Sequence, residues 1–182
     1  MSAPPRRLEF DYGHAVFVQR ALLLLGVWVV STVILVSAAG LDVVWIVLAS
    51  AAIGAYALVF GLSPLLTRHW LTRSRLILRQ GWYFRAILPL REVRSIAPYD
   101  GDPKIGLRGD LSRRTLFVTG SRVGLVAAEL RTPRRFWQVL FASADRVVFD
   151  VDGRDRFLGE VAVRNASLAP VKADRPDAEL RD

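Results

Sequence analysis

Between Arg20 and Arg68 the chain carries a single charged residue, Asp42, in 47 positions. Residues 21–41 form an uncharged run of 21 residues. At about 1.5 Å per helical residue this matches the hydrocarbon thickness of a bilayer. A second uncharged run occupies residues 43–67, long enough to span with tilt. Gly40, Leu41 and Asp42 leave room only for a tight connection. The pattern predicts an α-helical transmembrane hairpin. Arg6, Arg7 and Arg20 precede it, Arg68, Arg73, Arg75 and Arg79 follow it, and the connection holds no Lys or Arg. Basic residues stay on the cytoplasmic side of short loops, so both termini are expected in the cytoplasm. A cleaved signal peptide is the competing reading, with Ser37, Ala38 and Ala39 as a small-residue site. The run is long for that, and Glu9 and Asp11 stand in its leader. Ser50, Ala51, Gly54 and Ala55 put small residues at four-residue spacing in the second span, which suits close helix packing within the hairpin or against a partner. Neither span carries an internal charge, which argues against a proton path, a transporter or an intramembrane hydrolase.

The net charge of +8 is unevenly spread. Residues 1–67 are neutral, whereas residues 68–135 hold 15 Lys plus Arg against 5 acids, a net of +10. The basic block follows the membrane directly. There are no cysteines, so disulfides, thiolate metal sites and cysteine nucleophiles are excluded. Arg outnumbers Lys by 23 to 2, a bias associated with GC-rich bacteria, and the expected location is a bacterial inner membrane.

After Trp70 the apolar runs shorten and are cut by turn residues, the signature of strands. Arg75 to Arg79 puts Leu76 and Leu78 on one face, Gly81 makes a turn, and Trp82 to Leu90 returns with Phe84, Ala86 and Leu88 alternating against Tyr83, Arg85 and Ile87. Val93 to Ala97 reads as a third strand, Pro98 to Ser112 as a loop rich in Gly, Pro and Asp, and Thr115–Thr119 with Val123–Leu130 as a second hairpin. Thr132 and Pro133 open an expected helix with Phe136, Val139 and Leu140 on its stripe. A strand over 146–151 and a helix capped by Asp152, burying Phe157, Leu158 and Val161, complete the domain. The boundaries are 1–20 for a cytoplasmic segment, 21–67 for the hairpin, 68–165 for the domain and 166–182 for a polar tail expected to be disordered.

Residues 71–96, LTRSRLILRQGWYFRAILPLREVRSI, resemble the opening of bacterial pleckstrin-homology-like domains that follow a pair of transmembrane helices. Thr72, Arg75, Gly81, Pro89, Leu90, Val93 and Ile96 carry the likeness, which weakens from Asp100 onward. It implies a membrane hairpin plus an α+β domain, an antiparallel, partly closed barrel with a C-terminal helix or helices. It implies no ligand.

The candidate site is basic: Arg68, Arg73, Arg75, Arg79, Arg85, Arg91 and Arg94. Each cation near an anionic leaflet contributes about 1 kcal/mol, so the cluster suits anionic headgroups, or else a protein partner at the membrane surface. The plainer reading is that these arginines set topology and solubilise strand edges. Nucleic acid is disfavoured, since aromatic and basic residues interleave only at residues 82–85. Asp150 to Asp155 is no calcium loop, because its glycine is misplaced and no Glu closes it. His14 and His69 flank the spans without metal spacing and read as interfacial side chains. Asp100, Asp102 and Asp110 share a loop but have no histidine partner. The expectation is a non-enzymatic binding protein with no metal or cofactor, or alternatively an accessory subunit of a membrane complex recognised through its hairpin.

Overall fold

The structure is a computed structural model that describes residues 7–37, 42–139 and 142–168. Two helices long and apolar enough to cross a membrane occupy Ala15–Ser37 and Val43–Leu66. Their apolar side chains point outward, with Leu22, Leu23, Val36 and Trp45 all exposed, which lipid rather than water would favour. Helix α1 is Ala15–Ser37 and α2 is Val43–Ala57. Asp42 caps α2 by accepting from the Val44 N–H at 3.0 Å. Beyond Ala57 the helix widens into a π-helical turn, Leu58–Leu62, and tightens into a 3-10 turn, Ser63–Leu66. Pro64, which has no N–H to donate, marks that change. The small residues of α2 serve the hairpin itself. Trp28 donates to the Ser50 carbonyl at 2.9 Å, Thr32 and Ser50 share a hydroxyl contact at 2.9 Å, and a Cβ on Gly54 would stand 3.2 Å from the Trp28 ring.

The remainder is an α+β domain of two sheets, which do not close into the barrel expected. The first sheet has the order β1-β2-β3-β4, from Arg7–Phe10, His69–Thr72, Arg75–Gln80 and Phe84–Pro89, all antiparallel. Strand β1 precedes α1, so part of the segment set apart as 1–20 is built into the domain. Its pairing with β2 brings both ends of the hairpin to one place. Thr72 closes the β2–β3 turn by accepting from the Arg75 N–H at 3.1 Å and donating to the Arg75 carbonyl at 2.9 Å. Gly81 (φ +64°) turns β3 into β4.

The second sheet has the order β5-β8-β9-β7-β6. Its strands are β5 Val93–Pro98, β6 Gly106–Asp110, β7 Thr115–Thr119, β8 Leu125–Phe136 and β9 Ala142–Asp150. Three expectations fail in this sheet. Strand β6 lies inside the stretch read as a loop; as an exposed edge strand with two glycines it carries no apolar alternation. Strands β7 and β8 do not form a hairpin, because β9 inserts between them, antiparallel to β8 and parallel to β7. Residues 147–149 of β9, Val-Val-Phe, are buried on both faces, as a central strand requires. No helix starts at Thr132. Strand β8 runs on to Phe136, with Pro133 in an irregularity of the β8–β9 ladder between Glu129 and Arg134, where its missing N–H breaks no ladder bond.

The two sheets enclose one core that joins Phe10, Leu71, Leu76, Leu78, Phe84 and Leu88 to Leu116, Val126, Val147 and Phe149. Helix α3, Arg154–Leu168, covers it with Phe157 and Val161. Its first bond runs from the Phe157 N–H to the carbonyl of Gly153 (φ +71°) at 3.0 Å, and the N–H of the preceding Asp152 is bonded to the Asp11 carbonyl at 2.8 Å. Residues 169–182, most of the expected tail, lie outside the described residues, and 166–168 are helical.

Candidate functional site

Strand directions give the first sheet two ends. Strand β2 leaves the hairpin at His69, so His69, Gln80 and Phe84 stand at the hairpin end and Thr72, Arg75 and Pro89 at the far end. The hairpin end is joined to the helices by polar contacts that the apolar pattern hides. The Tyr12 hydroxyl donates to the Pro64 carbonyl and lies 2.8 Å from the Thr67 hydroxyl, which in turn accepts from the Gly81 N–H at 3.0 Å. The Trp82 N–H donates to the Ser63 hydroxyl at 3.1 Å, and Tyr83 packs on Phe60 with ring centroids 5.0 Å apart. Asp150, fully buried, accepts from the N–H groups of Gly13 and Gly120, each at 2.8 Å. Burial pushes its pKa up, against the pull of those donors. Burial likewise raises the Tyr12 phenol to about 12.

His69 belongs to this joint and is not the interfacial side chain expected. It is 1% exposed and stacked on Tyr12 at 4.7 Å, and its Nδ1 accepts from the Arg79 N–H at 3.3 Å. That bond places the ring proton on Nε2, which has no hydrogen-bond partner. Burial, with His14 nearby, lowers its pKa to about 3, so the ring is neutral.

The seven arginines do not form one patch. Arg68 is held by Asp11 at 2.8 Å and Glu9 at 3.4 Å. Arg79 and Arg85 face each other across β3 and β4 on the outer side of the first sheet, near the Trp82 turn. Arg7 and Arg79 both lie over the Trp70 ring, at 3.3 and 4.8 Å from its centroid, a cation–π arrangement. Arg73, Arg75 and Arg91 are at the far end. Arg94 is on the second sheet, beside a hollow of about 290 Å³ whose other walls include Glu129, Asp145 and Arg146. Arg146 pairs with Glu129 at 2.8 Å and holds that carboxyl below its usual range.

Sequence reasoning did not pick out Arg131 or Arg134, because it took the arginines close behind the second span and read a helix capped by Thr132. In the fold that segment runs along the open edge of β4. Arg134 donates to the Ile87 carbonyl at 2.7 Å, Gln138 to the Arg85 carbonyl at 3.2 Å and Arg131 to the Arg91 carbonyl at 3.1 Å. Side chains rather than a backbone ladder thus cover the edge, which protects it while leaving the barrel unclosed. The one signal in the sequence is Pro133, which sits as readily in an irregular strand as at a helix start.

The acids of the 100–110 segment do not converge on chemistry. Asp110 accepts from Lys104 and Ser112 at 2.6 Å and from the Arg113 N–H at 3.2 Å, which lowers its pKa and organises a turn. Among the described residues no group of three or more His, Asp or Glu side chains could hold a metal ion. Comparison with known protein families, with curated proteins and with solved structures returns no match.

Proposed function

We propose that this chain is a non-enzymatic membrane protein whose hairpin holds the two-sheet domain at the cytoplasmic face of a bacterial inner membrane, where the hairpin-end rim engages anionic lipid headgroups. The observation that carries this reading is the bond from the Trp82 N–H to Ser63, inside the last turn of the second apolar helix. It puts the β3–β4 turn at the level where that helix would leave the hydrocarbon. Trp82 is 56% exposed there, as an interfacial anchor would be. Arg79 and Arg85 are the next outward-facing residues. Burial raises the neighbouring Tyr83 phenol, and Arg20 is close enough to oppose that rise, so a further cation stands at this level. The orientation follows the distribution of arginines around the spans. The pleckstrin-homology-like reading accords with a sheet domain finished by a C-terminal helix, and the parallel β7–β9 pair departs from an all-antiparallel barrel. The alternative, an accessory subunit recognised through its hairpin, loses support because Ser50 and Gly54 are already packed on Trp28.

The test uses the full chain in phosphatidylcholine vesicles containing spin-labelled phosphatidylglycerol or spin-labelled phosphatidylcholine. Two arginines at about 1 kcal/mol each give roughly a tenfold to thirtyfold preference for the anionic label, reduced by salt and lost in Arg79→Gln/Arg85→Gln. Equal immobilisation of both labels by the unaltered protein would refute the reading.

A further inference from the structure

At the far end of the first sheet a groove of about 510 Å³ is lined by Ser74, Arg75, Ile87, Pro89, Arg91 and Arg134. We infer that this groove is a binding site for a soluble phosphorylated small molecule, with Arg75, Arg91 and Arg134 to hold the phosphate and Ile87 and Pro89 as its apolar lining. Its size falls within the range of small-molecule sites, roughly 300–1,000 Å³.

The three arginines come from separate places in the chain. Arg75 starts β3, Arg91 lies in the 3-10 turn Leu90–Glu92, and Arg134 belongs to the strand crossing the β4 edge. Arg134 is fixed in place by the Ile87 carbonyl at 2.7 Å, and one side of it faces Glu92 at 3.7 Å. Arg91 has its carbonyl held by Arg131. Among the described residues no carboxylate forms an ion pair with Arg75 or Arg91. Two exposed guanidinium groups with no carboxylate partner, beside a third held by the Ile87 carbonyl, concentrate positive charge at the groove in forks whose geometry matches phosphate oxygens.

Phosphate fits this arrangement better than a single carboxylate. It brings a charge of about −1.5 to −2 and three acceptor oxygens, enough for three forks, whereas one carboxylate offers two. The apolar wall gives the ester body a place to rest. A lipid phosphate would be the other source of the same chemistry, but position argues for the soluble one. Arg75 lies four residues along β3 from Arg79, about 13 Å at 3.3 Å per residue, more than a Debye length farther from the hairpin end. The inference does not depend on the headgroup contact proposed for Arg79 and Arg85.

Calorimetric titration of the full chain in zwitterionic nanodiscs, with inorganic pyrophosphate and adenosine diphosphate as probes, tests it. The expected result is saturable binding of one probe molecule per chain, weakened tenfold or more in Arg75→Gln/Arg91→Gln and unchanged in Arg79→Gln/Arg85→Gln. Both substituted pairs are at the surface, and a matching unfolding temperature shows that each variant is folded. Absence of binding at millimolar probe overturns the inference, as does equal weakening by both double variants. Loss of probe binding when phosphatidylglycerol is added to the discs would assign the groove to lipid and overturn it as well.

Discussion

Mild acid should loosen the joint between hairpin and domain through His69. A ring that titrates at about 3 in the folded state and at 6.5 when unfolded stays neutral in the native protein while the unfolded chain takes up a proton. Below 6.5 the unfolded state therefore binds more protons, and stability falls as pH falls, down to the folded value. Each pH unit in that window removes about 1.4 kcal/mol, so moving from pH 7.5 to pH 5 removes about 2 kcal/mol. His69 is fully enclosed, so solvent screening does not discount the figure. For a domain of this size that is a fall of roughly 8–16 °C in unfolding temperature. Asp150 works in the other direction: its raised pKa means that protonation favours the fold, so its contribution is present at low pH and lost as pH rises. The comparison that isolates the histidine is between the unaltered protein and His69→Phe, which keeps the ring against Tyr12 and leaves Asp150 in place. Unfolding followed by near-ultraviolet circular dichroism at the two pH values should show the fall in the first protein and not in the second. An equal fall in both would refute the assignment.

Two further perturbations probe the same framework. Asp150→Asn keeps one acceptor where two N–H groups converge, so one of Gly13 and Gly120 loses its partner; a cost of about 1–3 kcal/mol is expected by thermal unfolding, and none would deny Asp150 its role as a tie. Gly54→Leu would press a side chain into the Trp28 ring, where even a Cβ stands at 3.2 Å, and should split the hairpin; an unchanged Trp28 emission and oligomeric state in detergent would show that the helices do not meet there.

How much of this is legible in the sequence depends on whether the signal is local. The hairpin and the β3–β4 unit follow from runs and alternation: Leu76, Leu78, Phe84, Ala86 and Leu88 are inside as their spacing requires. Strand β1 is hidden because four residues before an apolar helix have no pattern of their own; only β2, some 60 positions later, makes them a strand. The expected β7–β8 hairpin fails for the same reason in reverse. It equates neighbours in sequence with neighbours in space, while the apolar centre of β9 belongs between them. Thr132 and Pro133 are good helix openers, but the carbonyls left open on β4 offer Arg134 and Gln138 partners that a helix would have withheld. The arginines are visible as residues and not as a surface. Their division into a paired one, a hairpin-end pair, a far-end group and one on the second sheet depends on register.

That division bears on what a tethered domain can recognise. If the domain hung on a flexible linker, any of its cations could reach the bilayer, and total charge would describe its binding. Here the joint is made by several bonds: Tyr12, Thr67 and Gly81 form one chain and Ser63 and Trp82 a second, both tying the end of the second apolar helix to the β3–β4 turn, while Asp150 ties Gly13, just before α1, to Gly120. The first sheet is then a ruler standing on the hairpin. Its lower arginines stand near the ends of the two apolar helices, and its upper ones are held roughly a strand's length away. Under the two proposals above, an anionic lipid at the hairpin end and a soluble anion in the far groove would contact different residues, so neither would exclude the other.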